Sequence, residues 1–425
     1  MKRTLSAVFA TLAVLLPTFA HADVDVVHTP ETTLSLSGML QLLGFAQHLS
    51  DPVANDNRMY LFLKEGRLRA TGGAGEYKFQ LELALGGEAP VVAQTGVSLS
   101  LLDLSVDLPV HLLGNASLRI GQFKVPSGRE ALVLSGESLF VDKSIAFLGF
   151  RVGYDVGAAL TVHPGPATVI AGVFTGGGRD VPPQHYLPER LGIPMLVLRA
   201  GVGDAGGDPY RLSDEPTGKG VQRSVFVNAL YTRDSIVGHS TVLNVKLADK
   251  SLLLNSNWNP YIAAQPLSQG DYWQVGVDGA VAMPVGAARL AAEAELNWAG
   301  FSNDVGVVHV AGGRAQVGLG YRGFEAGVRY AVLFPDARFA NGGVPLVTHD
   351  PIHEVTPALS YRFAHYPVKV VADLPLLLQT PVFLEPDVGG YVGTDLPDEA
   401  SVVGKGGSAV RQNVLEARLM LQASF

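Results

Sequence analysis

The closing stretch of the chain, Asn413 to Phe425, constrains the fold more than any other. Leu415, Ala417, Leu419, Leu421, Ala423 and Phe425 make one apolar face, and Glu416, Arg418, Gln422 and Ser424 make the opposite, polar one. Alternation with a period of two is the signature of a β-strand with oil on one side and water on the other. A half-buried soluble strand shows the same pattern. The stretch also matches the roughly 9–11 residues that cross a bilayer at a tilt, so the recurrence of the pattern decides between the two.

It recurs throughout. Tyr77, Phe79, Leu81, Leu83 and Leu85 alternate with Lys78, Gln80 and Glu82; Leu290, Ala292, Ala294, Leu296 and Trp298 oppose Glu293, Glu295 and Asn297; Phe324, Ala326, Val328, Tyr330 and Val332 oppose Glu325 and Arg329. The chain is 47% hydrophobic and only 16% charged, yet beyond residue 22 no apolar run approaches the roughly 18 residues of a spanning helix. Apolar surface spread as alternation is what a transmembrane barrel needs, because each backbone polar group must bond within the closed sheet.

Residues 1–22 read as a secretory signal peptide: Lys2 and Arg3, an apolar segment from Leu5 to Leu16, then Ala20-His21-Ala22 before the cut. The remainder, 23–425, is expected to be one barrel domain. Loss of Lys2 and Arg3 takes the formal net charge from −8 to −10, which argues against nucleic acid as a partner. The chain has no cysteine, excluding disulfides, thiolate metal sites and cysteine nucleophiles together.

The rhythm gives an all-β, antiparallel transmembrane barrel of about sixteen strands, in the size range that leaves an aqueous channel. The expected strands begin at Leu34, Met59, Tyr77, Leu102, Leu118, Tyr154, Ala167, Ser224, Ser240, Tyr272, Arg289, Ala311, Phe324, Val355, Pro367 and Asn413. Connections read as strictly alternating short and long, with Gly176 to Gly220 one long loop and Asp234 to Gly238 a short turn. Short periplasmic turns and long external loops are the habit of such barrels. Tyr77, Tyr231, Tyr321, Phe324, Tyr361, Phe363, Tyr366 and Phe425 then fall at the short-turn end, and Trp273 and Trp298 at the other.

The segment Leu118-Arg-Ile-Gly-Gln-Phe-Lys-Val-Pro-Ser-Gly-Arg-Glu130 resembles the entry to the third external loop of the phosphate-selective porin O and P family. Leu139-Phe-Val-Asp-Lys143, Arg151-Val-Gly-Tyr-Asp-Val-Gly157 and Gly172-Val-Phe-Thr-Gly-Gly177 follow in the family's order, with Gly66 to Arg69 and Tyr77 to Glu82 similar upstream. The resemblance implies a sixteen-stranded, usually trimeric channel in the outer membrane of a Gram-negative bacterium. Its third loop folds into the lumen, and basic residues line the constriction in phosphate-specific members. The matching positions are Lys124, Arg129, Lys143 and Arg151 around the loop, with Arg67, Arg69 and Arg119 facing the lumen nearby. Arginine forks suit phosphate oxygens because two parallel donors bond one anion. Two departures stand out: Ser127 where an aromatic is common, and Asp142-Lys143 in place of a Glu-Arg pair.

A structural reading competes for the same residues. By strand phase Arg67, Arg69, Lys78, Arg119, Lys246, Arg314, Arg329, Arg362, Lys369 and Arg418 are matched by Glu65, Glu82, Asp103, Asp107, Asp155, Asp278, Glu293, Glu295, Glu325, Asp373 and Glu416, so opposite signs can pair across the wall. Gly121 and Gly128 are the candidates for turning the loop inward.

Enzyme signals are weak. His349 and His353 have metal-ligand spacing, but Pro351 between them opposes a helix; Glu293 and Glu295 share a strand face without a further acid/base partner; Gly176-Gly-Gly178 lacks the lysine of a phosphate-cradling loop. No cofactor or metal is expected. The expectation is a passive channel for small hydrophilic solutes, with small anions such as phosphate favoured and lipid around it. Adhesion or surface recognition by the external loops stays open as the other class, and a barrel-borne hydrolase as a remoter one.

Overall fold

The computed structural model describes residues 23–49, 57–85, 99–111, 116–150, 152–176, 194–203, 220–236, 269–303, 306–335, 340–341, 344–345, 351–364, 366–383 and 409–425. Its main sheet joins eighteen hydrogen-bonded segments, all antiparallel. Two reduce the strand count. Asp23–His28 only extends the ladder below the first strand, pairing with residues 33–37, and Val368–Asp373 and Leu376–Phe383 are one strand interrupted at Pro375. Among the described residues the wall is therefore a closed barrel of sixteen strands.

We number them β1 (Thr32–Leu49), β2 (Asn57–Ala74), β3 (Tyr77–Leu85), β4 (Leu99–Pro109), β5 (Ala116–Lys124), β6 (Tyr154–Val162), β7 (Ala167–Phe174), β8 (Met195–Val202), β9 (Gln222–Ile236), β10 (Gln269–Val285), β11 (Ala288–Asn303), β12 (Gly306–Tyr321), β13 (Phe324–Pro335), β14 (Ile352–Arg362), β15 (Val368–Asp373 with Leu376–Phe383) and β16 (Ala409–Ser424). Each pairs with its sequence neighbour, and β16 closes on β1 from Leu49↔Val414 to Met39↔Ser424. The last residue completes the seam: the Phe425 N–H donates to the Gly38 carbonyl at 3.0 Å and the Gly38 N–H returns a bond of 2.8 Å. The Phe425 ring lies over Gly38, where a side chain would have no room. Deleting Phe425 removes both bonds and the ring, so the deletion variant should lose most of its heat-resistant barrel band on unheated gels. A Phe425→Trp variant should keep it.

The strand phases follow the alternation. On β13, Phe324, Val328, Tyr330 and Phe334 are exposed to the lipid side while Glu325, Arg329, Ala331 and Leu333 are buried inside; on β16, Leu415 and Leu419 face out while Glu416, Arg418 and Gln422 face in.

Two expectations are corrected. Met195–Val202 is a strand, although it lies within the segment read as one long loop. Its run Met-Leu-Val-Leu shows no alternation because the inward Met195 and Val197 are as apolar as the outward Leu196 and Leu198. The strand expected at Ser240 lies outside the described residues, so the count of sixteen survives with a different membership. Consequently β9 points the other way from the expectation, runs through Asp234 without turning, and places Tyr231 beside Trp273 at the long-loop end. The strict alternation also fails twice: β8 and β9 are separated by residues 203–221 although their facing ends lie on the short-turn side, and only residues 304–305 separate β11 from β12 on the other.

Aromatic rings mark both rims. At the short-turn end the Phe324 and Tyr361 rings lie 4.4 Å apart and Tyr361 meets Phe363 edge-on at 4.8 Å; at the other end Trp273 and Trp298 meet at 4.7 Å, with His309 beside both. Amphipathic rings at two levels are what a membrane-spanning wall places at its two interfaces.

Candidate pore constriction

The third long connection, residues 125–153, leaves β5 and returns to β6 through the barrel interior. It holds two short α-helices, α1 (Arg129–Leu132) and α2 (Ile145–Phe150), with a single 3-10 turn at Ser135–Glu137 between them. Gly121, inside β5, has φ +133° and leaves no room for a Cβ against the Leu104 backbone, which is a true glycine requirement. Gly128 differs from the expectation. Its φ of 171° is ordinary extended backbone, and the glycine is needed instead because the Glu295 carboxylate approaches where a Cβ would stand.

The loop crosses to the far wall and is tied there by bonds in both directions. Its backbone N–H groups donate to wall carboxylates: Glu130 to Glu295 at 2.9 Å, Val141 to Asp373 at 2.8 Å and Ile145 to Glu354 at 2.7 Å. Wall cations donate to loop carbonyls, Arg329 to Asp142 at 2.9 Å and Lys369 to Ser138 at 2.8 Å; Lys64 also bonds the Val141 carbonyl. Charge-assisted bonds in a partly dehydrated lumen are stronger than neutral ones, so the loop is a fixed part of the wall and not a tether.

Apolar contacts add to this. Ile145, Ala146 and Phe150 join a buried cluster with the inward-facing Leu230, Tyr272, Val310, Leu333 and Ile352, and Val141 joins Leu43, Phe45, Val371 and Met420. The lumen is not polar throughout. The half nearer the long loops instead carries an apolar inner belt, against which the loop packs.

Several wall charges are paired across neighbouring strands. Arg69 meets Glu82 at 2.8 Å, Arg119 reaches both oxygens of Asp107 at 2.7 Å, and Arg418 grips Asp373 at 2.7 and 2.9 Å. Each of these pairs is also a register pair of its two strands. Arg314 lies 3.1 Å from Glu293 and Arg329 2.6 Å from Glu354. Removing one member of a buried pair typically costs about 3–5 kcal/mol, so the buried Arg314, Arg329 and Arg418 hold the wall together, while the more exposed Arg69 and Arg119 add less.

The seven basic positions singled out in the sequence fall into different settings. Arg67 is buried, bonded to Glu65, 2.8 Å from Glu82, and donates to the loop's Ser135 at 3.1 Å. Arg129 is 1% exposed, held by Asp278 at 3.1 Å and Ser224 at 2.6 Å. Asp278 is shared with Arg199, which the sequence reading missed because it lies on the unrecognised β8. Arg69 and Arg119 are half-buried, Arg119 with its side chain 40% exposed. Lys124 and Lys143 converge: both ammonium groups donate to the carbonyl of Val133, at 3.3 and 2.9 Å, and both are half-buried. Arg119, Lys124 and Lys143 each rest over an aromatic ring, Phe123, Tyr154 and Phe147 respectively. Arg151 and Lys246 lie outside the described residues.

Glu130 and Glu354 are the functional side chains that sequence reasoning overlooked. Glu354 stands one residue before the expected start of its strand, while Glu130 carries no alternation signal because it lies in the loop. Burial pushes the Glu130 carboxyl upward, but Arg314, Arg329 and Lys143 together with the Ser144 hydroxyl outweigh it and hold the group below its ordinary value of 4.5. A depressed carboxyl contributes its stabilisation above the unfolded value and loses it as pH falls through the folded one. The groups around it are Arg314, Arg329, Lys143, Ser144 and the carboxylate of Glu295. Single-channel conductance should accordingly stay level from pH 8 to about 5 and become unsteady only below about 4.5. Unsteadiness already at pH 6 would assign the loop's hold to other groups.

Among the described residues no cluster of His, Asp and Glu is placed to bind a metal. His353 stacks on Tyr330 and accepts or donates a 2.7 Å bond with its hydroxyl, and Glu293 is engaged by Arg314; His349 lies outside the described residues.

Residues 40–232 match the family described as phosphate-selective porin O and P. No curated protein matches the chain in sequence. Among solved structures the chain is similar to the anion-selective porin of Comamonas acidovorans (TM-score 0.54, 11% identity, 93% of this chain and 100% of that one). It is also similar to OmpF of Salmonella typhi (0.53, 10%, 95% and 100%) and to the channel DcaP of Acinetobacter baumannii (0.51, 12%, 94% and 99%). Identities this low carry the fold alone. The chain is an outer-membrane porin of a Gram-negative bacterium, and over residues 40–232 it matches the family described as phosphate-selective porin O and P.

Proposed function

We propose that this porin passes small hydrophilic anions in preference to cations, with phosphate among them, and that Lys124 and Lys143 set the preference. The observation that carries the reading is their convergence on the Val133 carbonyl from β5 and from the loop. Two ammonium groups on one oxygen place two positive charges within a few ångströms where the loop narrows the lumen. Charge brought together where the path narrows weighs most on the sign of the permeant ion. Arg69 and Arg119, half-buried nearby, are the next groups an anion meets; Arg67 and Arg129 are assigned to holding the wall and the loop. Arg151, outside the described residues, keeps its place in the proposal by resemblance only.

The matched family's description, phosphate-selective, supports phosphate as one permeant anion. A homotrimer in lipid is proposed with it; one similar structure is the trimer form of OmpT from Vibrio cholerae. Residues 1–22 are assigned to a cleaved export signal, and no enzymatic activity is proposed. In a planar bilayer under a potassium chloride gradient the reversal potential should have anion sign. Cation sign would make the overall acidity of the chain the better guide and overturn the reading.

A further inference from the structure

Many groups touch the constriction loop, and the Glu130 side chain joins its two limbs to each other and to the wall. Glu130 lies in α1. One carboxylate oxygen accepts the Ser144 N–H at 2.7 Å and the other accepts the Ser144 hydroxyl at 2.6 Å, across fourteen residues of loop. The same carboxylate stands 3.1 Å from Arg314 on β12 and 3.8 Å from Arg329 on β13, while the Glu130 N–H donates to Glu295 on β11. Ser144 in turn caps α2: its oxygen accepts the Phe147 N–H at 3.2 Å, and the next residue, Ile145, donates to Glu354. Removing the carboxylate would thus free the capping serine, weaken the seat of α2 against the apolar belt, and leave Arg314 to its wall partners and Arg329 to Glu354 and the Asp142 carbonyl.

We propose that Glu130 is the positioning residue that seats the constriction loop, so that the bore of the pore depends on a buried carboxylate the solute never meets. Arg314 and Arg329 are its counter-ions on the wall and Ser144 its latch. The consequence for conduction rests on the porin reading; the seating itself does not.

The chain contains no cysteine, so a single thiol can report the loop's position. Ala146 on α2 is 3% exposed and packs in the belt, and Ala146→Cys places the probe there. In proteoliposomes this thiol should react slowly with a charged, membrane-impermeant maleimide. Adding Glu130→Gln should raise the labelling rate at least tenfold, with Glu130→Asp in between, while the heat-resistant barrel band persists. Rates within twofold of the parent would overturn the seating role. Should Glu130→Gln fail to assemble, Ser144→Ala tests the same latch with the charge kept, and the same twofold limit applies.

Bilayer recordings of Glu130→Gln separate the two readings. A conductance changed by twofold or more, with added open-channel noise, joins the seat to the bore. Faster labelling with unchanged conductance and selectivity would keep the seat but reject the bore's dependence on it.

Discussion

Reversing Lys124 and Lys143 together to glutamate should turn an anion-sign reversal potential into a cation-sign one. Two unit charges about 4 Å apart interact by about 1 kcal/mol even in bulk water, and a factor of ten in a ratio is about 1.4 kcal/mol. Changing two charges by two units each where the loop narrows the path should therefore move the anion-to-cation permeability ratio by about tenfold or more. The effect should shrink at high salt, where the screening length falls to about 3 Å. Arg314→Glu is not a neutral control, because Arg314 sits 3.1 Å from both Glu130 and Glu293 and its reversal would unseat the loop. A double reversal that leaves the sign unchanged would move the selectivity filter away from these lysines.

Excising the loop should have the largest effect on conductance. Its two ends are already hydrogen-bonded, with the Val125 N–H donating to the Gly153 carbonyl at 3.0 Å and Lys124 in register with Tyr154. Residues 126–152 can therefore be replaced by a two-residue Asn-Gly turn that matches strand twist. The wall pairs Arg199–Asp278, Arg314–Glu293, Arg329–Glu354 and Arg418–Asp373 remain without the loop, so the barrel should still close. Single-channel conductance should rise several-fold and anion preference should fall. Melting should occur at lower temperature, since Leu333, Ile352 and Val310 lose the apolar cover of α2. Conductance equal to that of the intact chain would mean the constriction lies elsewhere.

The barrel was legible where inward residues are polar. On β3, β11, β13 and β16 the alternation gave both strand and facing, because lipid and water sit on opposite sides of one chain. It failed on β8, where Met195 and Val197 face the apolar belt, and reading a strand from Met195 required knowing that the loop fills that part of the lumen. The error propagated in a specific way: one unrecognised strand reversed the assigned direction of β9 and misplaced Tyr231.

The constriction was legible as a segment but not as a circuit. The run from Leu118 to Glu130 located the loop, and the sum of lumen charges indicated pairing. Which arginine meets which carboxylate was another matter. Arg129 counted among the solute-facing cations by position, yet Asp278 and Ser224, 149 and 95 residues away, hold it against the wall.

Side-chain periodicity alone fixed that this chain rolls into a membrane barrel, because the period of a strand and the two solvents on its faces are local properties that any window of sequence expresses. Only the tertiary structure decided where the loop lies and which wall groups hold it. Those depend on carboxylates contributed by β10, β11, β14 and β15, which come within reach of Arg129, Glu130, Ile145 and Val141 only after the sheet has closed.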